Sequence, residues 1–342
     1  MAEKIKKKKK IDIGNILENT FGKGSIFGLE DEGVDRNTQW INTGVNVLNY
    51  VLGAGIPKGK IIEIFGPESS GKTTLCLYLI KILQRYGLVL FIDAEHALDV
   101  EWARKQGVNL GRDKFLISQP DNGEISFDII TKALRDCKGI SGIVIDSAAA
   151  LVPQAEVDGD MGDRQMGAFP QLMARGLRKI VPLADKSGIP VIFTNQARKV
   201  FNVRWGSPID SPGGLAFKHY ATIRIKISRI KTLKKGEESV ANLIKILAIK
   251  NKVAPPFRQG QLELNFKFGI DDLKDMVNTA LEKGVIKVKE SKKHEGKQIM
   301  VFDKHSLGFY DNDLIRMNRD KINLYIEDIK NKIKGGNNET FV

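Results

Sequence analysis

The segment at residues 66–73, with the sequence GPESSGKT, matches the pattern G-x-x-x-x-G-K-[ST]. The apolar stretch IIEIF precedes it, and TTLCLYLIKIL, which has the character of a helix, follows from Thr73. A strand, this loop and a helix form the context in which backbone N–H groups close on a triphosphate at a helix N-terminus. We expect Lys72 to place a positive charge on the outer phosphates and the Thr73 hydroxyl to bind Mg²⁺. A glycine-rich turn that binds nothing would not need this context.

Three other apolar segments are followed by polar side chains that suit the chemistry of a triphosphate. Asp146 follows the apolar run GIVI, Glu95 follows the segment FIDA, and Gln196 follows the apolar segment 190–194. Ligands of open α/β sheets bind at the carboxyl ends of the strands, so we expect these side chains at one rim. Asp146 would support a metal ion, Glu95 could orient and deprotonate an attacking water, and Gln196 could hydrogen-bond a γ-phosphate. The alternative interpretation of Glu95 is an exposed turn residue.

Apolar runs alternate with helical patterns between residues 39 and 269. This predicts an α/β domain with a mostly parallel twisted sheet and helices on both faces. The predicted elements are strands at 61–65, 88–93, 143–146 and 190–194, with helices from Lys72 and at 100–106. From residue 223 the apolar period changes to two, and a turn at 234–236 is followed by renewed alternation at 262–268. This pattern predicts an antiparallel extension at the edge of the sheet.

Shorter segments flank this core on both sides. Ile13, Ile16, Leu17 and Phe21 recur at helical spacing and predict a short amphipathic helix. That helix could fold back on its own chain or dock on a neighbour. Beyond Gly269 we expect a helix at 272–283, strands at 285–288 and 298–301, and a lysine-rich helix at 314–334. These elements predict a small α+β appendage.

The charge of the chain favours a polyanionic partner. It has 54 Lys and Arg residues against 41 Asp and Glu residues, a formal net charge of +13 over 342 residues. A lysine-rich, solvated surface would give the same number. The sequence lacks both the run of about 18–20 apolar residues that spans a bilayer and the apolar segment of a secretion signal. Cys76 and Cys137 lack metal-ligand spacing, so we expect reduced thiols in a cytoplasmic protein.

A long segment at residues 197–214 follows Gln196 and closes with the sequence PGG. Its cationic and apolar residues are Arg198, Lys199, Phe201, Val203, Arg204 and Trp205. A loop of this length inside a compact domain is usually functional. Cations interleaved with apolar and aromatic residues suit a single nucleic-acid strand, because phosphates take the charge and side chains wedge between bases. A disordered surface loop is the alternative interpretation.

Together these segments resemble the bacterial RecA recombinases, which coat single-stranded DNA and exchange strands. The matching strings are FGKGSI at 21–26, GPESSGKTT at 66–74, FIDAEHALD at 91–99, IDSAAALVPQAE at 145–156, GDMGDRQMG at 159–167, TNQ at 194–196 and KNKVAPPF at 250–257. Similarity is dense from about residue 21 to residue 270 and faint beyond. Several of these strings are far more specific than the phosphate loop alone.

The resemblance implies a P-loop NTPase core of the RecA type that uses ATP and Mg²⁺. The residues implied to bind the nucleotide are Gly66, Pro67, Glu68, Ser69, Ser70, Gly71, Lys72, Thr73, Thr74, Asp99, Trp102 and Asp146. Of these, Thr73 and Asp146 would serve Mg²⁺, the latter through water. The residues implied in catalysis are Lys72, Glu95, Gln196, Lys250 and Lys252. The last two would reach the ATP of a neighbouring subunit in a helical filament, so turnover would depend on assembly.

The resemblance also implies two DNA-binding loops, residues 156–167 and 197–214, along the axis of a homo-oligomeric filament. The implied DNA-binding residues are Arg164, Met166, Arg178, Arg198, Lys199, Phe201, Val203, Arg204, Trp205, Gly213 and Gly214. The implied partners are single-stranded and double-stranded DNA, with repressor and loading or mediator proteins as further candidates. The N-terminal helix would dock on the adjacent subunit.

The chain departs from the family pattern at several positions. Gln171 stands where an Arg usually contacts DNA, His219 replaces an interface Phe, and Lys199 and Val200 exchange the usual side-chain types. Residues 335–342 contain one acidic residue, Glu339, so we expect the chain to lack the family's acidic C-terminal tail. Such a tail competes with DNA, so its absence together with a basic helix predicts less restrained double-strand binding. A solvated helix face is the alternative.

We therefore predict three parts: a basic head with an oligomerisation helix at 1–36, an ATPase core at 37–269, and a small domain at 270–342. The predicted function is ATP-dependent pairing and strand exchange on single-stranded DNA, in recombination and repair. One rival is another motor on the same core, such as a ring helicase, which leaves Lys250 and Lys252 unexplained. The other is an ATP-switched coating filament with little strand exchange, motivated by Gln171 and His219.

Overall fold

The computed structural model describes residues 12–22, 26, 37–160, 167–199, 209–213, 215–291, 297–309, 320, 322 and 324–335. The chain divides into two compact units, residues 1–39 and residues 40–342. The first unit contains helix α1, Ile13–Phe21. The Asp12 carboxylate caps this helix by accepting from the backbone N–H of Asn15 at 3.2 Å. The predicted amphipathic helix is confirmed. Its side chains Ile13, Ile16 and Phe21 are exposed, Phe21 at 70%, and Leu17 is half-buried.

The described residues of the second unit form a short 3-10 helix at Ala148–Ala150 and a set of α-helices. The α-helices are α2 (Asn46–Leu52), α3 (Lys72–Leu83), α4 (Val100–Lys105), α5 (Gly123–Asp136), α6 (Gln154–Asp158), α7 (Ala168–Ser187), α8 (Ala216–Tyr220), α9 (Asp272–Glu282) and α10 (Ile326–Gly335). None of the described helices has the length and apolar character that crossing a membrane requires.

The strands of the second unit form one large sheet and three small ones. They are β1 (Trp40–Ile41), β2 (Ile56–Pro57), β3 (Ile61–Gly66), β4 (Leu88–Asp93), β5 (Phe115–Ser118), β6 (Ile140–Asp146), β7 (Val191–Gln196), β8 (Arg198–Lys199), β9 (Ile209–Asp210), β10 (Ile223–Lys235), β11 (Glu238–Asn251), β12 (Gln259–Asn265), β13 (Gly269–Ile270), β14 (Ile286–Glu290), β15 (Gln298–Phe302) and β16 (His305–Phe309). The large sheet has the order β13-β12-β11-β10-β3-β7-β6-β4-β5.

The large sheet confirms the predicted α/β class. Strands β10, β3, β7, β6, β4 and β5 run parallel, whereas β11, β12 and β13 extend the edge in antiparallel fashion. The turn predicted at 234–236 lies between β10 and β11, where Gly236 has a positive φ of 64°. The prediction missed β5, β11, α5 and α7. For β11 a signal was present, because Ile244, Ile246 and Ala248 alternate and are buried.

Helices cover both faces of the large sheet, as predicted. Ile62 and Ile64 of β3 point to a core shared with α2 and α3, while Ile61 points to a core shared with α5 and α7. The same alternation along β6 and β7 divides their buried side chains between the two cores. In a sheet that is buried on both faces, ligand-binding residues lie at the ends of the strands.

The C-terminal elements form a smaller assembly with a core of its own. Strands β14, β15 and β16 pair antiparallel, and Met276, Phe302, Leu307 and Ile329 pack between this sheet, α9 and α10. The prediction of one helix over 314–334 is wrong, because a turn at residues 324–325 precedes α10. Residues 310–319 lie outside the described part of the chain. The domain boundaries at 36/37 and 269/270 stay predictions.

Candidate functional site

The loop between β3 and α3 needs glycine at both of its ends. Gly71 adopts φ +93°, and a Cβ there would lie 2.1 Å from Cδ1 of Leu264. A Cβ on Gly66 would lie 2.3 Å from the carbonyl oxygen of Ile227. No side chain caps the first turn of α3. The loop therefore presents close-packed backbone and free helix amides, which is the local structure that binds phosphate.

The donors of this loop fit a triphosphate. The Lys72 ammonium donates to the carbonyl oxygens of Gly66 at 3.2 Å and Pro67 at 2.8 Å, so it folds back over the loop. The Ser70 hydroxyl is buried without a hydrogen-bond partner among the described residues. Burial lowers the pKa of Lys72, and the carboxylates of Asp146 and Glu95 oppose that shift. A ligand oxygen in the loop would pair both the ammonium and the hydroxyl.

Asp146 ends β6 beside this loop and is buried. Its carboxylate accepts hydrogen bonds from the hydroxyls of Thr73 at 2.8 Å and Thr194 at 2.5 Å. Burial raises the pKa of Asp146, and the two hydroxyl bonds oppose the shift. The hydroxyl and carboxylate oxygens of Thr73 and Asp146 suit Mg²⁺, which binds few protein ligands when substrate phosphates supply the rest. The described residues accordingly contain no cluster of three or more His, Cys, Asp or Glu that could hold a metal.

Glu95 lies at the same rim, just after β4. Its carboxylate accepts from the Ser147 hydroxyl and, at 3.4 Å, from the side-chain amide of Gln196 at the end of β7. The backbone N–H of Ala94 donates to the carbonyl oxygen of Asp146 at 3.0 Å, which holds the ends of β4 and β6 together. The exposed side chains of Glu95 and Gln196 thus meet beside the phosphate loop.

A cavity of about 260 Å³ adjoins the phosphate loop on its other side. Its walls are Ser69, Gly71, Lys72, Thr73, Thr74, Trp102, Asn242, Leu264, Asn265 and Phe266. The Trp102 indole donates to the Thr74 hydroxyl at 3.3 Å, which places its ring at the cavity wall. Asp99 caps α4 by accepting from the Trp102 backbone N–H at 2.9 Å.

The walls of this cavity that come from β11 and β12 were missed by the sequence analysis. Asn242, Asn265 and Phe266 belong to the antiparallel extension, and no motif marks them. The apolar alternation at 262–268 predicted a strand, but it did not predict that this strand lies beside Gly71. A cavity lined by an indole, a phenyl ring and two amides suits a heterocyclic base.

Lys250 and Lys252 lie away from the phosphate loop of their own subunit. Lys250 pairs across strands with Arg224, which in turn pairs with Glu63 near the start of β3. The Lys250 ammonium donates to the carbonyl oxygens of Lys218 at 2.5 Å and His219 at 3.2 Å, at the end of α8. Burial lowers the pKa of Lys250 to about 8, with Lys252 and Arg224 adding to the shift. Lys250 is level with the third residue of β3, and the backbone of Lys252 bonds to Thr222, which bonds to Ile61 at the start of β3. The lysine pair therefore lies toward the amino edge of the sheet, away from Gly66.

The segment after Gln196 begins as a hairpin stem, because β8 and β9 pair antiparallel with Arg198 opposite Asp210. Its start is tied to the phosphate loop, since the backbone N–H of Ala197 donates to the Gly66 carbonyl at 2.9 Å. Its end is tied to the sheet, since the Asn195 amide donates to the Pro212 carbonyl at 3.1 Å.

A buried ion pair also holds this segment, and sequence analysis missed it. Glu63, which is fully buried in β3, pairs with Arg224 at 2.5 Å. The Arg224 guanidinium donates to the Ser211 hydroxyl at 3.0 Å. Gly213 is buried in a left-handed conformation. The only signal in the sequence is a charge inside each of two apolar strands.

The predicted DNA-binding residues are only partly within the described chain. Arg178 is exposed on α7, and Arg198 and Lys199 form β8. Arg164, Met166, Phe201, Val203, Arg204, Trp205 and Gly214 lie outside the described residues.

Comparison with known proteins decides the family. The family model described as the RecA N-terminal domain matches residues 8–271. The chain belongs to the RecA family. Protein RecA of Synechococcus elongatus is 48% identical over 271 residues, which cover 79% of this chain and 75% of that protein. Protein RecA of Nostoc punctiforme is 46% identical over 273 residues, covering 80% and 75%.

The fold agrees with this assignment. A crystal structure of the RadB recombinase superimposes with a TM-score of 0.53 at 20% identity, covering 67% of this chain and 98% of that chain. Its membership of the RecA family, shown by the family model and the Protein RecA relatives, makes this protein a recombinase and a DNA-dependent ATPase of DNA recombination and repair. Membership also implies nucleotide binding, DNA binding and filament formation.

Proposed function

We propose that the nucleotide is ATP, bound with Mg²⁺ at the rim formed by the phosphate loop and the ends of β4, β6 and β7. The observation that carries the proposal is the convergence of Lys72, Thr73, Asp146, Glu95 and Gln196 at one edge of the sheet. Residues 66–74 hold the triphosphate, and the base enters the cavity beside Trp102 and Asp99. Thr73 directly and Asp146 through a water would hold Mg²⁺, which would supply positive charge against the phosphates when bound.

Glu95 orients and deprotonates the attacking water in this proposal. It is exposed at the rim, and Ser147 and Gln196 fix the direction of its carboxylate. Lys250 and Lys252 complete the site of the next subunit, where their charges stabilise the transferring phosphoryl group. Support for action in trans comes from the sheet, since the pair lies toward the amino edge, away from its own phosphate loop.

We propose that Gln196 couples the nucleotide to DNA. Its side chain bonds to Glu95, while the next residue bonds to the Gly66 carbonyl. A γ-phosphate that draws the Gln196 amide would thus move the start of the 197–214 segment. The far end of that segment is anchored by Asn195 and Arg224, which hold Pro212 and Ser211 in place.

The proposed activity is filament formation on single-stranded DNA, pairing with homologous double-stranded DNA, and strand exchange, with hydrolysis releasing the product. Loading is independent of sequence, because backbone and wedge contacts read no base edges. The α1 helix docks on the adjacent subunit. We place the protein in the cytoplasm, and we keep repressor and loading or mediator proteins as proposed partners.

The testing experiment is ATP turnover with and without single-stranded DNA, on the parent and on Glu95→Gln and Lys250→Ala. We expect strong stimulation by DNA in the parent, and loss of turnover with retained nucleotide binding in both variants. Glu101→Gln and Lys186→Ala, which change exposed residues of α4 and α7, are the matched controls. Turnover that needs no DNA and survives Lys250→Ala would indicate a self-contained motor. Filaments that form on DNA but yield no joint molecules would indicate a coating filament.

A further inference from the structure

Helix α7 presents a row of long polar side chains to solvent. Gln171, Arg175 and Arg178 follow one another at spacings of four and three residues, and all three are exposed. The opposite face is buried by Leu172, Met173, Gly176, Leu177, Ile180 and Ala184. With a rise of about 1.5 Å per residue, Arg175 stands about 6 Å beyond Gln171 and about 4.5 Å before Arg178. The row is therefore a continuous strip on a rigid helix.

The two arginines of this row lack ion-pair partners within the described residues. The carboxylate that α5 directs toward α7, that of Asp128, bonds instead to Lys179 at 2.9 Å. No carboxylate among the described residues thus pairs with Arg175 or Arg178, and each guanidinium has five N–H donors. Arginine matches phosphate geometry better than any other side chain, because its planar fork donates two parallel hydrogen bonds.

The helix that carries the row contacts both segments that are proposed to hold DNA, and the row itself begins next to the first. Helix α7 starts at Ala168, immediately after the first of them. The end of the second lies against the buried face of the same helix, since a Cβ on Gly213 would lie 3.5 Å from Cγ of Met173. A strand that leaves the first segment along the exposed face of α7 would meet its cations.

We propose that Arg175 binds a phosphate of single-stranded DNA, adjacent to the phosphate that Arg178 binds. Gln171, one helical turn earlier in the row, can donate a hydrogen bond to a phosphate, but it carries no charge and cannot displace a counterion. Arg175 supplies that positive charge. The inference rests on the proposed DNA-binding function of this face. The Arg175 contact would move the phosphate-binding part of the row one helical turn from Gln171 toward Arg178.

Salt dependence of binding tests the proposal, because each neutralised phosphate releases counterions. The affinity for a fluorescent oligo(dT) is measured by anisotropy between about 50 and 200 mM salt, with a fixed saturating nucleotide. We expect Arg175→Gln to weaken binding about 5- to 10-fold and to lower the log–log slope by about 0.7 per subunit. Arg175→Lys should keep most of the slope, and Lys179→Gln, on the same helix but paired with Asp128, should keep all of it.

Moving the charge gives the sharpest outcome. The double variant Gln171→Arg/Arg175→Gln returns a cation to the row, and we expect it to regain the slope that Arg175→Gln loses. The proposal is overturned if Arg175→Gln keeps the parental slope while Arg178→Gln lowers it, or if both keep it. If the parent itself fails to bind oligo(dT), the proposed function fails first, which is a different result from a parent that binds with an unchanged Arg175 variant.

Discussion

Two aspartates in different regions of the molecule are largely buried, and the comparison shows that a buried carboxylate can belong to a ligand site or can hold the fold together. Asp146 lies at the nucleotide rim and accepts from two side-chain hydroxyls, those of Thr73 and Thr194. Asp275 of α9 lies where the C-terminal elements meet α2, and it accepts from the backbone N–H of Asn46 at 2.6 Å. Burial raises the pKa of both, that of Asp275 to about 6.

The donors make the difference between the two sites. A hydroxyl rotates and carries lone pairs of its own, so the donors around Asp146 can turn toward a metal or a phosphate. Helix amides point in one direction and need an acceptor, so Asp275 is a fixed cap on the first turn of α2. The first arrangement allows exchange of partners, and the second joins two parts of the chain.

We expect the largest effect on ATP turnover from a change at the nucleotide rim that leaves the rest of the fold intact. Lys72→Ala removes the ammonium over the phosphate loop, and we expect ATP turnover to fall by about 10³-fold and nucleotide binding to weaken. Thermal unfolding without nucleotide should change little, because the lysine bonds only to loop carbonyls. Turnover and fluorescent-nucleotide binding measure the two effects. Full turnover in this variant would remove Lys72 from the proposed site.

Matched Asp→Asn changes test the comparison itself. Asp146→Asn removes the charge beside the phosphates, and we expect turnover to fall by about 10²-fold. Asp275→Asn keeps an oxygen that can accept from α2, so we expect turnover within about twofold of the parent. Steady-state turnover at saturating ATP and DNA measures both. Equal losses in the two variants would mean that Asp146, like Asp275, acts only on the fold.

Stability against pH should carry the signature of Asp275. Its folded pKa of about 6 exceeds the unfolded value of about 3.9, so the folded state binds the proton more tightly. Its contribution to stability is present below about pH 4 and is lost as pH rises through 6. We expect the parent to lose about 1–2 kcal/mol relative to Asp275→Asn between pH 4 and pH 7, measured by urea unfolding. A difference that grows in favour of the parent at high pH would show that the capping amides outweigh burial.

The rim could be predicted from sequence, and the reason is geometric. Parallel strands in an α/β sheet end at a common edge, so Glu95, Asp146 and Gln196 had to lie near the phosphate loop once their strands were identified. The roles assigned to them stay predictions. The distances between them add which groups touch, notably Gln196 with Glu95.

Other parts depend on packing that no local pattern encodes. Phe266 and Asn265 line the cavity beside Gly71, although β12 lies three strands away from β3 in the large sheet. Glu63 and Arg224 find each other across two strands that are 161 positions apart in the chain. The cap by Asp275 likewise joins residues 229 positions apart. Such contacts follow from tertiary structure. Of the three, only the Glu63–Arg224 pair has a signal in the sequence, which is a charge inside each of two apolar strands.

The smallest expected effect concerns Thr194, whose hydroxyl is one of the two donors to Asp146. Thr194→Val keeps the shape of the side chain but leaves a carboxylate oxygen with one donor fewer. We expect turnover to fall about fivefold, close to 1 kcal/mol, and the Mg²⁺ concentration for half-maximal turnover to rise. Thr194→Ser should restore both values, since it returns the donor.

Thr131→Val is the control for this prediction. The Thr131 hydroxyl is buried in α5 without a partner among the described residues, so its loss should leave turnover unchanged. If Thr194→Val keeps the parental Mg²⁺ dependence, the hydroxyl serves only packing, and Thr73 alone distinguishes the surroundings of Asp146 from those of Asp275.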